Sequence, residues 1–137
     1  MTGLLLIHCI RAVITYKQIK IMVTRETAII TAKSFISDCQ FNGLTFHKVL
    51  LFGSAAKGLT HEWSDIDLLL ISDQFGDNIF DNLKLYSRIN IKYPIIETHP
   101  YPTKYFYEGD SFIKEISKES VEILTPTPNT QYSQKGF

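Results

Sequence analysis

The sequence predicts a small α/β protein of the α+β kind, in which a small mixed sheet is flanked by helices. Apolar residues recur at helical spacing before residue 43 and again after residue 77. Between these segments, two short apolar runs at 48–52 and 65–71 have the length of strands. At 137 residues, with 45% of them hydrophobic, the chain has the size of one domain and can bury a core.

The first half is predicted to contain two helices and two strands. Thr24 is a suitable N-cap for the first helix, which ends near Asn42-Gly43. A strand at 48–52, a short helix at 54–59 and a strand at 65–71 follow. The core-facing positions of the first helix are Ile29, Ala32, Phe35, Ile36 and Cys39.

The second half is also predicted to contain helices and strands in alternation. Ile79, Phe80, Leu83 and Tyr86 have the spacing of one long helix from Asp77 to Ile89. The remaining predictions are a strand at 94–98, short helices at 102–108 and 111–118, and a last strand at 121–124.

These elements place the domain at residues 22–124. Residues 1–21 form an extension whose place in the native protein stays open, and the proline-containing polar run 125–137 is expected to be a flexible tail. The apolar stretch at 4–16 is interrupted by His8 and Arg11 and is too short to span a bilayer, and it does not have the pattern of a signal peptide. We therefore expect no membrane association.

Composition narrows the class of function. Fourteen basic residues balance fourteen acidic ones, which argues against general nucleic-acid binding. The two cysteines, Cys9 and Cys39, lack the spacing of a metal or redox motif, so we expect reduced thiols in a cytoplasmic protein.

The main chemical motif is Asp65-Ile66-Asp67 at the start of the second predicted strand. Side chains at i and i+2 of a strand share a face about 6 to 7 Å apart, so Asp65 and Asp67 converge while Ile66 points into a core. A lone Asp-x-Asp is usually a turn or a cap. Here a buried apolar run follows directly. Burial of carboxylates at its start costs free energy unless they are paired or bind a metal. Oxygen ligands of this kind suit Mg²⁺.

A phosphate-binding turn is predicted just before these acids. Gly53 follows the first strand, where a residue without a side chain allows a sharp turn and close approach to a ligand. Ser54 opens a short helix whose free N–H groups attract phosphate, and Lys57 could add a positive charge one turn later.

Together these residues resemble the signature of the nucleotidyltransferase superfamily. The stretch Leu51–Gly58, followed by Ser64–Leu68, is similar to the Gly-Ser and Asp-x-Asp pattern of DNA polymerase β, the kanamycin nucleotidyltransferases and the minimal nucleotidyltransferases. The last group is closest in size. The resemblance covers residues 22–124 and implies a polymerase-β-like nucleotidyltransferase fold.

The resemblance also implies a third carboxylate on a neighbouring strand. Glu97 is the candidate, although family members usually have Asp, and its role as base, metal ligand or both stays open. His99 could tune Glu97, but a histidine flanked by prolines in a turn is more often structural. Weaker rivals lie beside turns or helix starts, where acids cap the backbone: Asp73, Asp77, Asp81 and Asp110.

The resemblance implies transfer of a nucleoside monophosphate, AMP from ATP, to an acceptor hydroxyl. Two Mg²⁺ ions would be held by the catalytic carboxylates Asp65, Asp67 and Glu97, while the triphosphate would be bound by Gly53, Ser54 and Lys57.

The partner also follows from the resemblance. Larger relatives have a further domain that grips the acceptor, and we expect a separate protein to bring it here. In minimal nucleotidyltransferases that protein is a helical HEPN ribonuclease toxin, silenced by its antitoxin through adenylylation of a tyrosine. The alternatives are a small-molecule nucleotidyltransferase that uses a partner chain or a homodimer, and a non-catalytic binding module. A dense aromatic segment, expected to fill a core or an interface, contains Tyr101, Tyr105, Phe106 and Tyr107.

Overall fold

The protein folds around a four-stranded mixed sheet with helices on both faces. The structure is a computed structural model that describes residues 24–58 and 65–123. The predicted extension at 1–21, the predicted tail at 125–137 and Cys9 lie outside these residues.

The strand order is β3-β2-β1-β4. β1 pairs antiparallel with both β2 and β4, whereas β2 and β3 run parallel. The central strands β1 and β2 are therefore flanked by one short and one long edge strand. The strands are β1 Lys48–Phe52, β2 Ile66–Ser72, β3 Ile96–Pro102 and β4 Val121–Glu122.

The helices begin where the sequence supplies caps. Thr24 and Thr27 form a reciprocal capping box at the first helix, which confirms the predicted N-cap. Asn78 and Asp110 cap two later helices through their side-chain oxygens. The helices are α1 Arg25–Phe41, α2 Gly53–Ala56, α3 Ile79–Lys84, α4 Ser87–Asn90, α5 Thr103–Glu108 and α6 Ser111–Ser117.

The single helix predicted from Asp77 to Ile89 is wrong, because the segment forms the two short helices α3 and α4. The break falls at Tyr86, whose backbone leaves the helical region at φ −140° and ψ 1°. The Tyr86 ring is buried against Phe35, and its hydroxyl shares a hydrogen bond of 2.8 Å with Thr98. Burial of this side chain in the core takes precedence over helical continuity.

The edge strand β3 also differs from the prediction, since it begins at Ile96 and continues to Pro102 rather than ending at 98. Asn90 donates a side-chain hydrogen bond to the carbonyl of Ile96 at 3.2 Å. Pro100 and Pro102 have no N–H to offer, and proline within a sheet is confined to such edges. These features discourage further strands from pairing there.

The larger core lies between α1 and one face of the sheet. Alternate residues of β1 and β2, including Val49, Leu51, Leu68 and Leu70, point to this side. Burial raises the pKa of the Cys39 thiol to about 12. The α1 contribution consists of Ala28, Ala32, Phe35, Ile36 and Cys39.

A smaller core covers the opposite face of the sheet. Leu50, Leu69 and Ile71 are buried there against Ile113 of α6. Three members of the predicted aromatic cluster, Tyr101, Tyr105 and Phe106, are partly buried against this core, whereas Tyr107 is 70% exposed. Within the described residues, no helix has the length and apolar character needed to cross a bilayer.

A matched pair of phenylalanines on α1 tests the placement of the larger core. Phe35 is fully buried and Phe41 is 92% exposed. We expect Phe35→Ala to lower the free energy of unfolding by about 3 to 5 kcal/mol, because it leaves a cavity. Phe41→Ala should change it by less than about 0.5 kcal/mol. Urea denaturation measures both, and equal losses would contradict this packing.

Candidate active site

Asp67 and Glu97 lie side by side on neighbouring strands. The parallel register of β2 and β3 pairs Asp67 with Glu97. Both residues point away from α1, since they alternate with the core residues Ile66, Leu68 and Ile96. The side chain of Asp67 is 24% exposed and that of Glu97 is 56% exposed. Two carboxylates thus meet on one open part of the sheet.

His99 joins these carboxylates from the next position on the same face of β3. Its Nε2 lies 3.9 Å from Oδ1 of Asp67 and 4.0 Å from Oε1 of Glu97. One ligand atom from each of the three residues falls within a common spacing of 4.8 Å. This Nε2 is buried and has no hydrogen-bond partner in the described part of the protein. The sequence signal for this position was its i+2 spacing from Glu97.

Asp65 is exposed and lies just before β2. It is not part of the group of ligand atoms within 4.8 Å, and the preceding residues 59–64 lie outside the described ranges. Of the three carboxylates predicted to be catalytic, the structure brings Asp67 and Glu97 together with His99.

Gly53 brings the predicted phosphate turn directly against Asp67. Phe52 pairs with Asp67 in the antiparallel register of β1 and β2, so the next residue turns beside the carboxylate. Gly53 has a φ of +74°, a backbone conformation that residues other than glycine rarely adopt. A Cβ built on Gly53 would overlap Oδ2 of Asp67 and lie 3.3 Å from its Cγ. The absence of a side chain therefore lets the turn and the carboxylate occupy the same corner.

A hydrogen bond from α1 holds the turn at Gly53 in place. Ala55 and Ala56 of α2 are buried, whereas Ser54 is half-buried. Arg25 Nε donates a hydrogen bond of 2.8 Å to the carbonyl of Ala56 at the end of a short helix, where carbonyl groups lack intrahelical partners. Sequence reasoning missed Arg25, because a contact between residues so far apart in the chain has no local signal.

Lys57 is paired with Glu119 rather than directed at the carboxylates. Its Nζ lies 2.9 Å from Oε2 of Glu119, and both side chains are largely exposed. Exposed pairs of this kind are worth at most about 1 kcal/mol, so an incoming phosphate can compete for the ammonium group. Phe52, Gly53 and Lys57 line one side of an open cavity of about 240 Å³ at this point. Its other side is lined by Glu115, Ile116 and Glu119 of the α6 region.

Two of the four rival acids, Asp110 and Asp77, have structural contacts. Asp110 caps α6. Asp77 accepts hydrogen bonds from the hydroxyl of Tyr105 at 2.7 Å and from Lys104 at 3.3 Å. These two hydrogen bonds lower the pKa of Asp77, and the bond from Tyr105 has the larger effect. Asp77 thereby links the loop before α3 to α5.

A second cavity of about 250 Å³ lies at the outer edge of β3. His99 and Tyr101 line it from the sheet, and Asp77 and Ile79 line it from the loop before α3 and from α3 itself. Because His99 lines this cavity and also lies beside Asp67 and Glu97, the cavity adjoins the carboxylate pair.

The donors on this face fit a divalent cation. Carboxylate oxygens are the usual ligands of Mg²⁺ and Mn²⁺, and the buried Nε2 of His99 is a polar atom that lacks a partner among the described residues. Asp67 and Glu97 would hold such an ion together with His99, beside the turn at Gly53.

Comparison with known proteins gave a match to a family model and a match to a solved structure. The family described as nucleotidyltransferase domain matches residues 32–131 of the chain. In three dimensions the chain is similar to the crystal structure of a protein from Sulfolobus solfataricus described as a "putative nucleotidyltransferase", with a TM-score of 0.55 and 20% sequence identity over 74% of this chain and 84% of that one. At that identity the likeness concerns the fold. No curated protein matches the chain significantly in sequence.

Two glycines provide a test of the contact between Gly53 and Asp67. We expect Gly53→Ala to destabilise the protein by about 1 kcal/mol or more, because it combines a strained φ with a collision against the carboxylate. Gly76→Ala is the matched control, since a Cβ at Gly76 meets nothing within 4 Å. Denaturation and divalent-ion titration of both variants measure the effect. If the Gly53 variant binds the ion and unfolds like the Gly76 variant, the close approach is not required.

Proposed function

The chain belongs to the nucleotidyltransferase domain family, and from this premise we propose that it transfers a nucleoside monophosphate, AMP from ATP, to a hydroxyl group of a partner protein. The partner would be a HEPN-type toxin and this chain its antitoxin. The observation that supports catalysis best is the meeting of Asp67 and Glu97 beside the turn at Gly53. A chain that had retained only the fold would have no need for a carboxylate pressed against a glycine turn.

Each side chain has a role in the proposed reaction. Gly53 and Ser54 bind the triphosphate through backbone N–H groups and a hydroxyl. The acceptor oxygen attacks the α-phosphorus, the bond to the bridging oxygen breaks, and pyrophosphate leaves. Glu97, the more exposed of the paired acids, accepts the proton from the acceptor hydroxyl.

The proposed cofactor is a pair of divalent ions held by Asp65, Asp67 and Glu97, for which the family resemblance implies Mg²⁺. When bound, divalent ions neutralise negative charge on the transferring and leaving phosphates and lower the pKa of the acceptor hydroxyl. Asp67 is well placed to orient the phosphates relative to Glu97, since it touches the turn on one side and its strand neighbour on the other.

Exposed apolar residues close to the site support a protein acceptor. Ile79 and Phe80 of α3 are 53% and 72% exposed, and Ile79 lines the cavity that includes His99. Large exposed apolar side chains beside a catalytic face are typical of a docking surface. Tyr105 and Phe106, which the sequence singled out for an interface, are partly buried in the smaller core, so truncating them would also damage the fold.

A small-molecule acceptor is the second candidate, and the cavity at the edge of β3 favours it. With a volume of about 250 Å³, this cavity could hold a small polar acceptor beside His99, with Asp77 and Tyr105 on its wall.

Substitution of the paired acids tests catalysis. We expect Asp67→Asn and Glu97→Gln each to lower the rate of AMP transfer at least about a hundredfold, because transition-state charge loses its stabilisation. The assay follows label from ATP into the co-expressed product of the neighbouring gene. Asp81→Asn is the control, since Asp81 is exposed on α3 and pairs only with Lys84 among the contacts described. Equal rates for wild type and Asp67→Asn would contradict the proposed site.

A further substitution distinguishes the two acceptors. Phe80→Ala should weaken binding of the partner protein about thirtyfold, corresponding to about 2 kcal/mol for a buried aromatic anchor. Phe41→Ala is the control, because Phe41 is more exposed but lies at the end of α1. Light scattering and calorimetry on the co-expressed pair measure the difference. Unchanged partner binding by the Phe80 variant would favour the small-molecule acceptor.

A further inference from the structure

We propose that His99 is itself a metal ligand and that its nitrogen makes the site favour Mn²⁺ over Mg²⁺. This inference rests on the proposed function, because it concerns the ion used by the same site. It departs from the set of carboxylates expected from the sequence, since one of the three converging donors is an imidazole.

The distances from His99 to the two acids allow it to share an ion with either of them. Metal–nitrogen and metal–oxygen bonds to ions of this size are about 2.0 to 2.2 Å, so two donors of one ion lie at most about 4.3 Å apart. The distances of 3.9 Å from His99 Nε2 to Asp67 and 4.0 Å to Glu97 fall within that limit. They are too long for hydrogen bonds, which leaves the nitrogen without a partner in the described residues.

Aromatic packing fixes the imidazole in this position. The His99 ring lies 5.1 Å from the ring of Phe52 and 6.1 Å from that of Phe112. Tyr101 extends the cluster, with its ring 6.0 Å from Phe112. These contacts restrict the ring while Nε2 faces the acids. A ligand held in this way loses little further freedom on binding.

The type of donor determines which ion is preferred. Mg²⁺ requires near-octahedral oxygen ligands and keeps several waters, whereas imidazole suits first-row transition ions. Mn²⁺ accepts carboxylates as Mg²⁺ does, and as a first-row transition ion it accepts an imidazole nitrogen more readily than Mg²⁺ does. A site with two carboxylates and one imidazole is therefore better matched to Mn²⁺.

A second histidine, His47, offers a matched control. His47 also packs among aromatic rings, those of Phe106 at 6.0 Å and Tyr107 at 5.3 Å, and its Nε2 bonds to the hydroxyl of Tyr107. His99→Phe keeps an aromatic ring in the packed position and removes only the nitrogen donors. His47→Phe makes the same chemical change away from the carboxylates.

The experiment measures ion binding to the full chain without nucleotide. Mn²⁺ is titrated by electron paramagnetic resonance and Mg²⁺ by competition, and pulsed spectra of bound Mn²⁺ are examined for coupling to a ¹⁴N nucleus. We expect nitrogen coupling in the wild type and in His47→Phe, and none in His99→Phe. Loss of an outer-shell partner alone costs about 10- to 100-fold in metal affinity, so His99→Phe should lose at least about tenfold for Mn²⁺ and much less for Mg²⁺.

Three results would overturn the inference: no measurable Mn²⁺ binding, wild-type Mn²⁺ without nitrogen coupling, or Mn²⁺ affinity that is equal in His99→Phe and His47→Phe. Failure of AMP transfer is a separate result, because nitrogen-coupled Mn²⁺ in a chain without transfer activity would contradict the proposed reaction and leave the ligand assignment standing.

Discussion

The close approach of the Asp67 carboxylate to Gly53 is the contact on which the rest of the site depends. The antiparallel register of β1 and β2 sets it, by placing Phe52 opposite Asp67. The parallel register of β2 and β3 then places Glu97 beside Asp67. A side chain at Gly53 would separate the turn from the acids, and a change of one residue in either register would turn the acids toward α1.

The two faces of the sheet divide stability from chemistry. α1 and its buried residues cover one face over most of its length, and Arg25 of the same helix holds the turn through Ala56. The opposite face has a smaller core, beyond which Asp67, Glu97 and His99 remain partly accessible. Phe52 contributes to both stability and chemistry, because it borders this core and also packs against the ring of His99. Phe112 packs against the same ring from α6.

Local sequence patterns and the resemblance to a family predicted part of the fold and of the site. The cap at Thr24, the strands on either side of the turn and the convergence of Asp67 with Glu97 follow from composition, alternation and resemblance to a family. Three features arise from contacts between distant residues and had no such signal. They are the helix break at Tyr86, the tether from Arg25 and the position of His99 relative to Asp67.

In the proposed site a divalent ion binds between β2 and β3, next to the turn at Gly53. Crystals grown with Mn²⁺ and a non-hydrolysable ATP analogue would test this through anomalous scattering at the manganese edge. We expect an anomalous peak bounded by Asp67 and Glu97, with the phosphates of the analogue at Gly53 and Ser54. A nucleotide bound elsewhere, or phosphates at the turn with no metal between these carboxylates, would contradict it.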